Sequence, residues 1–96
     1  MRVWPYDLRV AGLTFKVKSM DEVDSDAIEC RREPTNEFDS RAVAVYCIYT
    51  GKKEPKHVGY IPKEIARNIP DEKLPCNGQV VWKTDEIGRF GMKIAI

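Results

Sequence analysis

The chain has 96 residues, of which 43% are hydrophobic and 32% are charged, a composition typical of one folded domain and unlike that of a disordered tail. Its 16 basic and 15 acidic residues leave a net charge of +1, which excludes the strong overall positive field of proteins that bind DNA non-specifically. No apolar stretch has the length of a signal peptide or a membrane span, so we expect a single cytoplasmic domain over residues 1–96 with no membrane partner.

The first third of the chain contains two segments with the pattern of β-strands. Residues 8–18 alternate apolar side chains and predict one strand, with a bend or bulge at Gly12. Residues 20–25 are acidic and polar, which predicts a loop. Residues 27–32 predict a second strand, which ends because Pro34 cannot donate a hydrogen bond to a neighbouring strand.

The middle of the chain alternates between loops and strands. Turn-forming residues fill 35–40 and predict a loop. Residues 41–49 are apolar on both faces, which predicts a central strand covered on both sides. A lysine-rich hairpin loop at 50–55 leads to a short strand at 57–61, where Gly59 indicates close approach by another backbone.

A helix is predicted over residues 62–69. Pro62 suits its first position, Ile65 and Ile69 lie four residues apart and form a buried stripe, and Pro70 ends it.

Two closing strands are predicted at 78–84 and 90–96, joined by a turn around Gly88. The elements together predict a mainly β fold: a small antiparallel barrel of five or six strands with one or two short helices.

No residue set in the sequence has the pattern of a catalytic or metal centre. His57 is the sole histidine, and its place beside Lys56 at a strand start predicts an exposed surface residue. The cysteines are odd in number, widely spaced and without a CxxC pair, which argues against a disulfide framework and against zinc; they are Cys30, Cys47 and Cys76. We therefore expect a binding module rather than an enzyme, with no cofactor and no metal.

Polar and aromatic residues are concentrated in two short segments, 32–39 and 58–63. Together they offer what a flat base with a sugar-phosphate requires: two aromatics, two short polar side chains and a lysine, namely Phe38, Tyr60, Asn36, Asp39 and Lys63. Structural roles are the open alternative. Asn36 and Asp39 would then hold the turn, Phe38 would fill the core, and Lys63 would be a solvated residue of the first helical turn.

Three stretches of the sequence resemble the HIRAN domain. They are VAGLTF at 10–15, REPTNEFDSRAVAV at 32–45 and VGYIPKEIA at 58–66, and they occur in the family's order and spacing. The resemblance implies a small antiparallel barrel related to the OB-fold, and capture of a single-stranded DNA 3′ end. In that mode aromatics hold the terminal base and a loop carboxylate reads the 3′-hydroxyl.

The positions that match the family's binding residues are Phe15 on the first strand, Asn36, Phe38 and Asp39 in the loop, and Tyr60 and Lys63 near the last phosphates. The family also occurs fused to helicase-like ATPases and nucleases, so the resemblance implies a helicase or nuclease as a partner that would supply any chemistry. The alternative is a protein-interaction or scaffold module on the same barrel without DNA binding. It is suggested by the neutral net charge and by Glu37, which stands where family members often have proline.

Overall fold

The computed structural model describes residues 7–18, 22–49, 54–86 and 89–96, without the side chains at positions 7, 14, 15, 85, 86, 89 and 90. The elements in chain order are β1 (Asp7–Arg9), α1 (Leu13–Lys16), β2 (Ala27–Arg32), β3 (Val43–Cys47), β4 (Lys56–Tyr60), α2 (Lys63–Ala66), a 3-10 helix (Asp71–Lys73), β5 (Cys76–Glu86) and β6 (Arg89–Ala95). No helix within these ranges is long and apolar enough to cross a membrane.

The six strands of the described ranges form one antiparallel sheet in the order β1-β6-β5-β2-β3-β4. The two edges of this sheet meet, because Ala11 directly after β1 forms a bridge to Tyr60 at the end of β4. The bridge has two backbone hydrogen bonds of 2.8 Å, one from each amide to the other carbonyl. The sheet therefore curls into a small barrel, which confirms the predicted mainly β fold class.

The core lies inside this curl and reflects the apolar pattern of the central strands. In β2 the buried residues Ile28 and Cys30 alternate with partly exposed ones, whereas in β3 Val43, Ala44 and Val45 are all buried. Strand β6 adds the fully buried Met92 and Ile94. The predicted strand at 27–32 and the predicted central strand within 41–49 are therefore both confirmed.

The single strand predicted over residues 8–18 is wrong. Strand β1 ends at Arg9, and Gly12, at φ 75°, turns the chain into the helix α1. Leu13 and Val17 are both buried, and the amide of Val17 donates to the carbonyl of Leu13 over 2.9 Å. Apolar residues at 13, 15 and 17 fit a strand by alternation, but the helical spacing of 13 and 17 determines the structure once a glycine permits the turn.

The helix predicted at 62–69 is shorter than expected. Pro62 precedes α2 as its N-cap, and residues 67–69 continue as turns. The buried positions are Ala66 and Ile69, while Ile65 is only partly buried. The predicted stripe is therefore correct at Ile69 and wrong at Ile65.

Gly59 confirms the predicted close backbone approach. A Cβ atom at this position would lie 2.5 Å from Cγ1 of Val10 and 2.6 Å from the carbonyl oxygen of Ala11. The first closing strand is longer than predicted, and the second has the predicted length but begins and ends one residue earlier. The turn expected at Gly88 and residues 50–53 of the expected hairpin loop lie outside the described residues.

Candidate functional site

A cavity of about 450 Å³ lies beside the point where the barrel closes. We call it the loop pocket; its lining consists of Ala11, Asn36, Phe38, Asp39, Ala42, Tyr60, Ile61, Lys63 and Ala66. The residues between β2 and β3 form one wall, and the end of β4 with the start of α2 forms the other. Five of the six residues singled out in the sequence thus line one cavity, although they come from segments more than twenty positions apart.

Asn36 organises the loop between β2 and β3. Its Oδ1 accepts hydrogen bonds from the backbone amides of Phe38, at 2.8 Å, and Asp39, at 3.0 Å. Its Nδ2 donates to Oε1 of Glu33 at 3.0 Å. The turn-holding alternative is therefore what the structure shows for Asn36, whose side chain positions the two residues that follow it.

Asp39 uses one carboxylate oxygen within the loop. Its Oδ1 accepts from the amide of Arg41 at 2.9 Å, and its carbonyl accepts from the amide of Ala42 at 3.0 Å. Within the described ranges, no protein donor binds Oδ2 of Asp39. One acceptor atom of this pocket residue is thus left for a ligand or water.

The ring of Phe38 points away from the protein. The side chain is 93% exposed, which rules out the alternative that Phe38 fills the core. Because Asn36 binds the amides at 38 and 39, it holds in place the backbone that carries this ring. Exposing a large aromatic side chain forgoes about 2 kcal/mol of burial, and it leaves the ring face open to a planar partner.

Glu33 joins the loop to β4 and was missed by the sequence analysis. Its Oε1 accepts from the hydroxyl of Tyr60 at 3.0 Å as well as from the side chain of Asn36. Burial, together with this carboxylate, raises the pKa of Tyr60 above its usual value, so the phenol stays protonated and donating at neutral pH. The sequence feature that could have indicated this role is an acidic residue directly after a predicted strand and three positions before Asn36.

Tyr60 is the first of three neighbouring rings, Tyr60, His57 and Tyr46, which contact one another on the outside of the sheet. The ring of His57 meets Tyr60 edge-on at 4.9 Å and stacks on Tyr46 at 5.1 Å. Arg31 lies 4.4 Å from the centre of the Tyr46 ring, and Lys16 lies 5.8 Å from that of Tyr60. The stacking faces of Tyr46 are therefore already covered by protein.

The prediction that His57 is an exposed surface residue is wrong. The side chain is half-buried among these rings, and its Nε2 lies 3.0 Å from the carbonyl oxygen of Gly59. Burial and the nearby Lys16 lower the pKa of His57, although the carbonyl contact opposes this. The imidazole is therefore neutral at pH 7 and acts as a packing element among these rings.

The two remaining predicted site residues belong to the short helices. Lys63 is exposed at the first position of α2 and lines the loop pocket. Phe15 was expected on the first strand, but it lies in α1 because Gly12 redirects the chain. Helix α1 contacts β4, while the side chain of Phe15 is outside the described part of the structure.

A second and larger cavity, of about 610 Å³, borders the same loop. We call it the arginine groove; its lining consists of Arg31, Arg32, Pro34, Ser40, Arg41, Asp71, Leu74 and Pro75. Arg32 binds Asp71 through Nε at 2.8 Å, and Arg41 binds the same carboxylate through Nη1 at 3.1 and 3.2 Å. Most of the positive charge around this groove is thus paired within the protein.

The chain was compared with protein families, curated proteins and solved structures, and its described residues were searched for a metal site. Among the described residues, no three His, Cys, Asp or Glu side chains are placed to hold a metal ion. The HIRAN domain family model matches residues 6–71, a range that includes every sequence-predicted site residue. Searches of the curated proteins and of the solved structures found no match. The chain therefore belongs to the HIRAN family, whose domains are generally nucleic-acid-binding modules rather than enzymes.

Proposed function

We propose that the loop pocket captures the terminal nucleotide at the 3′ end of single-stranded DNA. The observation that carries this proposal is the convergence of Asn36, Phe38, Asp39, Tyr60 and Lys63 on one cavity, with the ring of Phe38 facing solvent. We also propose that residues 1–96 form one domain. The family match ends at 71, but β5 and β6 complete the sheet.

Each side chain has a distinct role in the proposed complex. The terminal base stacks on the open face of Phe38, which contributes about 1 to 3 kcal/mol. The 3′-hydroxyl donates to Oδ2 of Asp39, and a hydrogen bond to a charged acceptor contributes about 1.5 to 3 kcal/mol. Lys63 meets the last phosphate across the pocket, and Asn36 acts indirectly by holding residues 38 and 39 in place.

Selectivity for a hydroxyl end follows from the charge on Asp39. A 3′-phosphate would bring two negative groups together in the pocket, which disfavours it beyond any difference in fit. Lys63 lines the pocket and Lys16 lies beside Tyr60, so few phosphates are neutralised. The affinity should fall with salt at a logarithmic slope of about −0.7 per phosphate contacted.

Fluorescence anisotropy with short oligonucleotides tests the proposal. We expect a 3′-hydroxyl oligonucleotide to bind more tightly than the same strand with a 3′-phosphate. Asp39→Asn should reduce this preference, while Thr35→Ala, an exposed change in the same loop, should leave it intact. Equal affinity for both ends in the wild-type protein, with no effect of Asp39→Asn, would refute end recognition.

The protein-interaction alternative depends on acids dominating the pocket and on its aromatics being buried. Glu33 and Asp39 do supply acids, but Phe38 is open to solvent, which favours a planar ligand. A helicase or nuclease partner that acts after capture is supported by the family resemblance alone. Co-purification of the full chain with such an enzyme, lost in Phe38→Ala, would be the corresponding test.

A further inference from the structure

Two of the three cysteines face each other across neighbouring strands. Cys30 of β2 and Cys76 of β5 are direct partners in the antiparallel register. The amide of Val80 donates to the carbonyl of Asp26 at 2.7 Å, and counting in steps of two from this pair makes Cys30 and Cys76 a hydrogen-bonded pair. Such pairs have Cα atoms about 5.5 Å apart, within the range of about 4.4 to 6.8 Å that a disulfide requires.

The two cysteines lie opposite each other but differ in environment. Cys30 is fully buried in the core, whereas Cys76 is partly exposed and follows Pro75 at the edge of the arginine groove. The neighbouring Cys30 lowers the pKa of Cys76, whereas Cys76 and burial raise the pKa of Cys30. Cys76 is thus the accessible nucleophile, and Cys30 is a protonated thiol held against it.

We propose that Cys76 and Cys30 form a thiol modification site that hydroperoxides oxidise to a cross-strand disulfide. Nothing in the pocket residues or in the DNA-binding proposal requires this pair. The closest analogue within the chain is Cys47 of β3, which is buried and donates to the carbonyl of Ser25 at 3.7 Å. Cys47 has no thiol opposite it, since its register partners are Ile28 and Lys56, so it serves as an internal control.

The chemistry proceeds in two balanced steps. The Cys76 thiolate attacks the terminal oxygen of the hydroperoxide and the O–O bond breaks; the alkoxide or hydroxide that leaves takes up a proton, and Cys76 becomes a sulfenic acid. Sγ of Cys30 then attacks Sγ of Cys76, the S–O bond breaks, and the departing hydroxide takes the Cys30 proton as water. Two thiols and one hydroperoxide thus give one disulfide, one alcohol or water, and a further water.

The bond would enclose the segment that carries the candidate site. Residues 31–75 contain the loop, β3, β4 and α2, and therefore all five predicted residues that line the loop pocket. Cross-linking β2 to β5 would tie both ends of this segment together and restrict the unfolded chain. The oxidised protein should unfold at a temperature at least about 5 °C higher than the reduced protein, and a dithiol reductant should reverse the shift.

Peptide mapping of the full chain after treatment with hydrogen peroxide tests the site. We expect a linked peptide containing Cys30 and Cys76, and a fall in alkylatable thiols from three to one, with Cys47 still free. In Cys30→Ala the reaction should stop at a Cys76 sulfenic acid that a dione probe traps. Cys47→Ala should form the disulfide as the wild type does.

Three outcomes would overturn the proposal: oxidation of Cys47 as fast as Cys76, disulfides only between chains, or linkage that forms equally well in urea. The wild-type map decides the matter even if a variant fails to fold. Loss of DNA binding would not affect this assay, so failure of the modification site and failure of the proposed function are distinguishable.

Discussion

The loop pocket and the arginine groove share one loop but differ in how much of their bonding capacity the protein already uses. The groove is larger, at about 610 Å³ against 450 Å³, and has three arginines in its lining. By size and positive charge alone, it would be the better site for a nucleic acid. The pocket, in contrast, offers the open ring of Phe38, an unbound oxygen of Asp39 and the exposed Lys63.

Arg32 illustrates why the charge of the groove is not available to a ligand. Its side chain is 11% exposed, and Nη1 donates to the carbonyls of Arg41, at 2.5 Å, and Ala66, at 2.8 Å. Nη2 donates to the carbonyl of Ile69, and Nε to Asp71. This guanidinium joins the loop, α2 and the 3-10 helix, and its donors are already used within the protein. Free hydrogen-bonding groups therefore indicate a candidate binding surface better than charge or cavity volume does.

The largest expected effect of a substitution is on stability at Arg32. Arg32→Met keeps the length of the side chain but removes one donor from each of three carbonyls and one of the two arginines that bind Asp71, which should cost about 2 to 4 kcal/mol in the free energy of unfolding. Urea denaturation measures it. Arg31→Met is the control, since Arg31 is half-exposed and its ion pair with Glu29 is worth about 1 kcal/mol or less. Similar losses at both positions would contradict the assignment of a structural role to Arg32.

Phe38 should give the opposite result, a loss of binding without a loss of stability. Phe38→Ala removes a ring that is 93% exposed, so unfolding should change by about 0.5 kcal/mol or less. Affinity for a 3′-hydroxyl oligonucleotide should fall about 5- to 150-fold, as expected for one stacked base. Trp82→Ala is the matched control, because Trp82 is 44% exposed on β5, away from the loop pocket. An equal loss of affinity in Trp82→Ala would contradict the proposal that the base stacks on Phe38.

Asn36 should affect both properties. Asn36→Ala removes the acceptor for two backbone amides, which should cost about 1 to 2 kcal/mol of stability and loosen the positions of Phe38 and Asp39. Thermal unfolding and oligonucleotide binding measured on the same sample would show both losses. Asn77→Ala, an exposed change in β5, should show neither. Unchanged stability in Asn36→Ala would mean that the loop holds its shape without this side chain.

The smallest expected effect is the pH dependence due to Asp71. The hydrogen bond from Arg32, with the charge of Arg41, lowers the pKa of Asp71 below its ordinary value of 3.8, while burial opposes the shift. A lowered pKa in the folded state contributes stability above the unfolded pKa, and this is lost as pH falls through the folded pKa. Wild type and Asp71→Asn should therefore differ at pH 7, and the difference should shrink as the pH falls below 3.8. Glu72→Gln should follow the wild type throughout, and parallel wild-type and Asp71→Asn curves would contradict the ion pair.

The sequence was sufficient where local patterns determine the structure. Strand β2 has the predicted bounds, because its alternation is clear and Pro34 prevents its continuation. It was insufficient at residues 13–17, where apolar spacing fits either a strand or a helix and Gly12 decides between them. The convergence of the loop with the start of α2 was a prediction from the family resemblance, since apolar patterns alone do not bring distant segments together.

The remaining features depend on contacts that no local pattern encodes. The partners of Arg32 lie at positions 66, 69 and 71, and Cys30 meets Cys76 only because β2 and β5 pair in one particular register. The position of the loop backbone at Phe38 depends on which amides the side chain of Asn36 binds. Each of these requires the tertiary structure, because sequence separation gives no measure of distance in space.

The bridge between Ala11 and Tyr60 covers one end of β4, the last strand of the sheet. Without it, the amide and the carbonyl of Tyr60 would lose their partners, and β4 would offer a longer row of unpaired groups to a strand of another molecule. Two hydrogen bonds, the tight fit at Gly59 and the packing of α1 on β4 hold this closure, and Tyr60 belongs to the loop pocket. Any change at residues 10–12 that loosened the closure would therefore distort the wall of the pocket and, in the same event, promote polymerisation through β4.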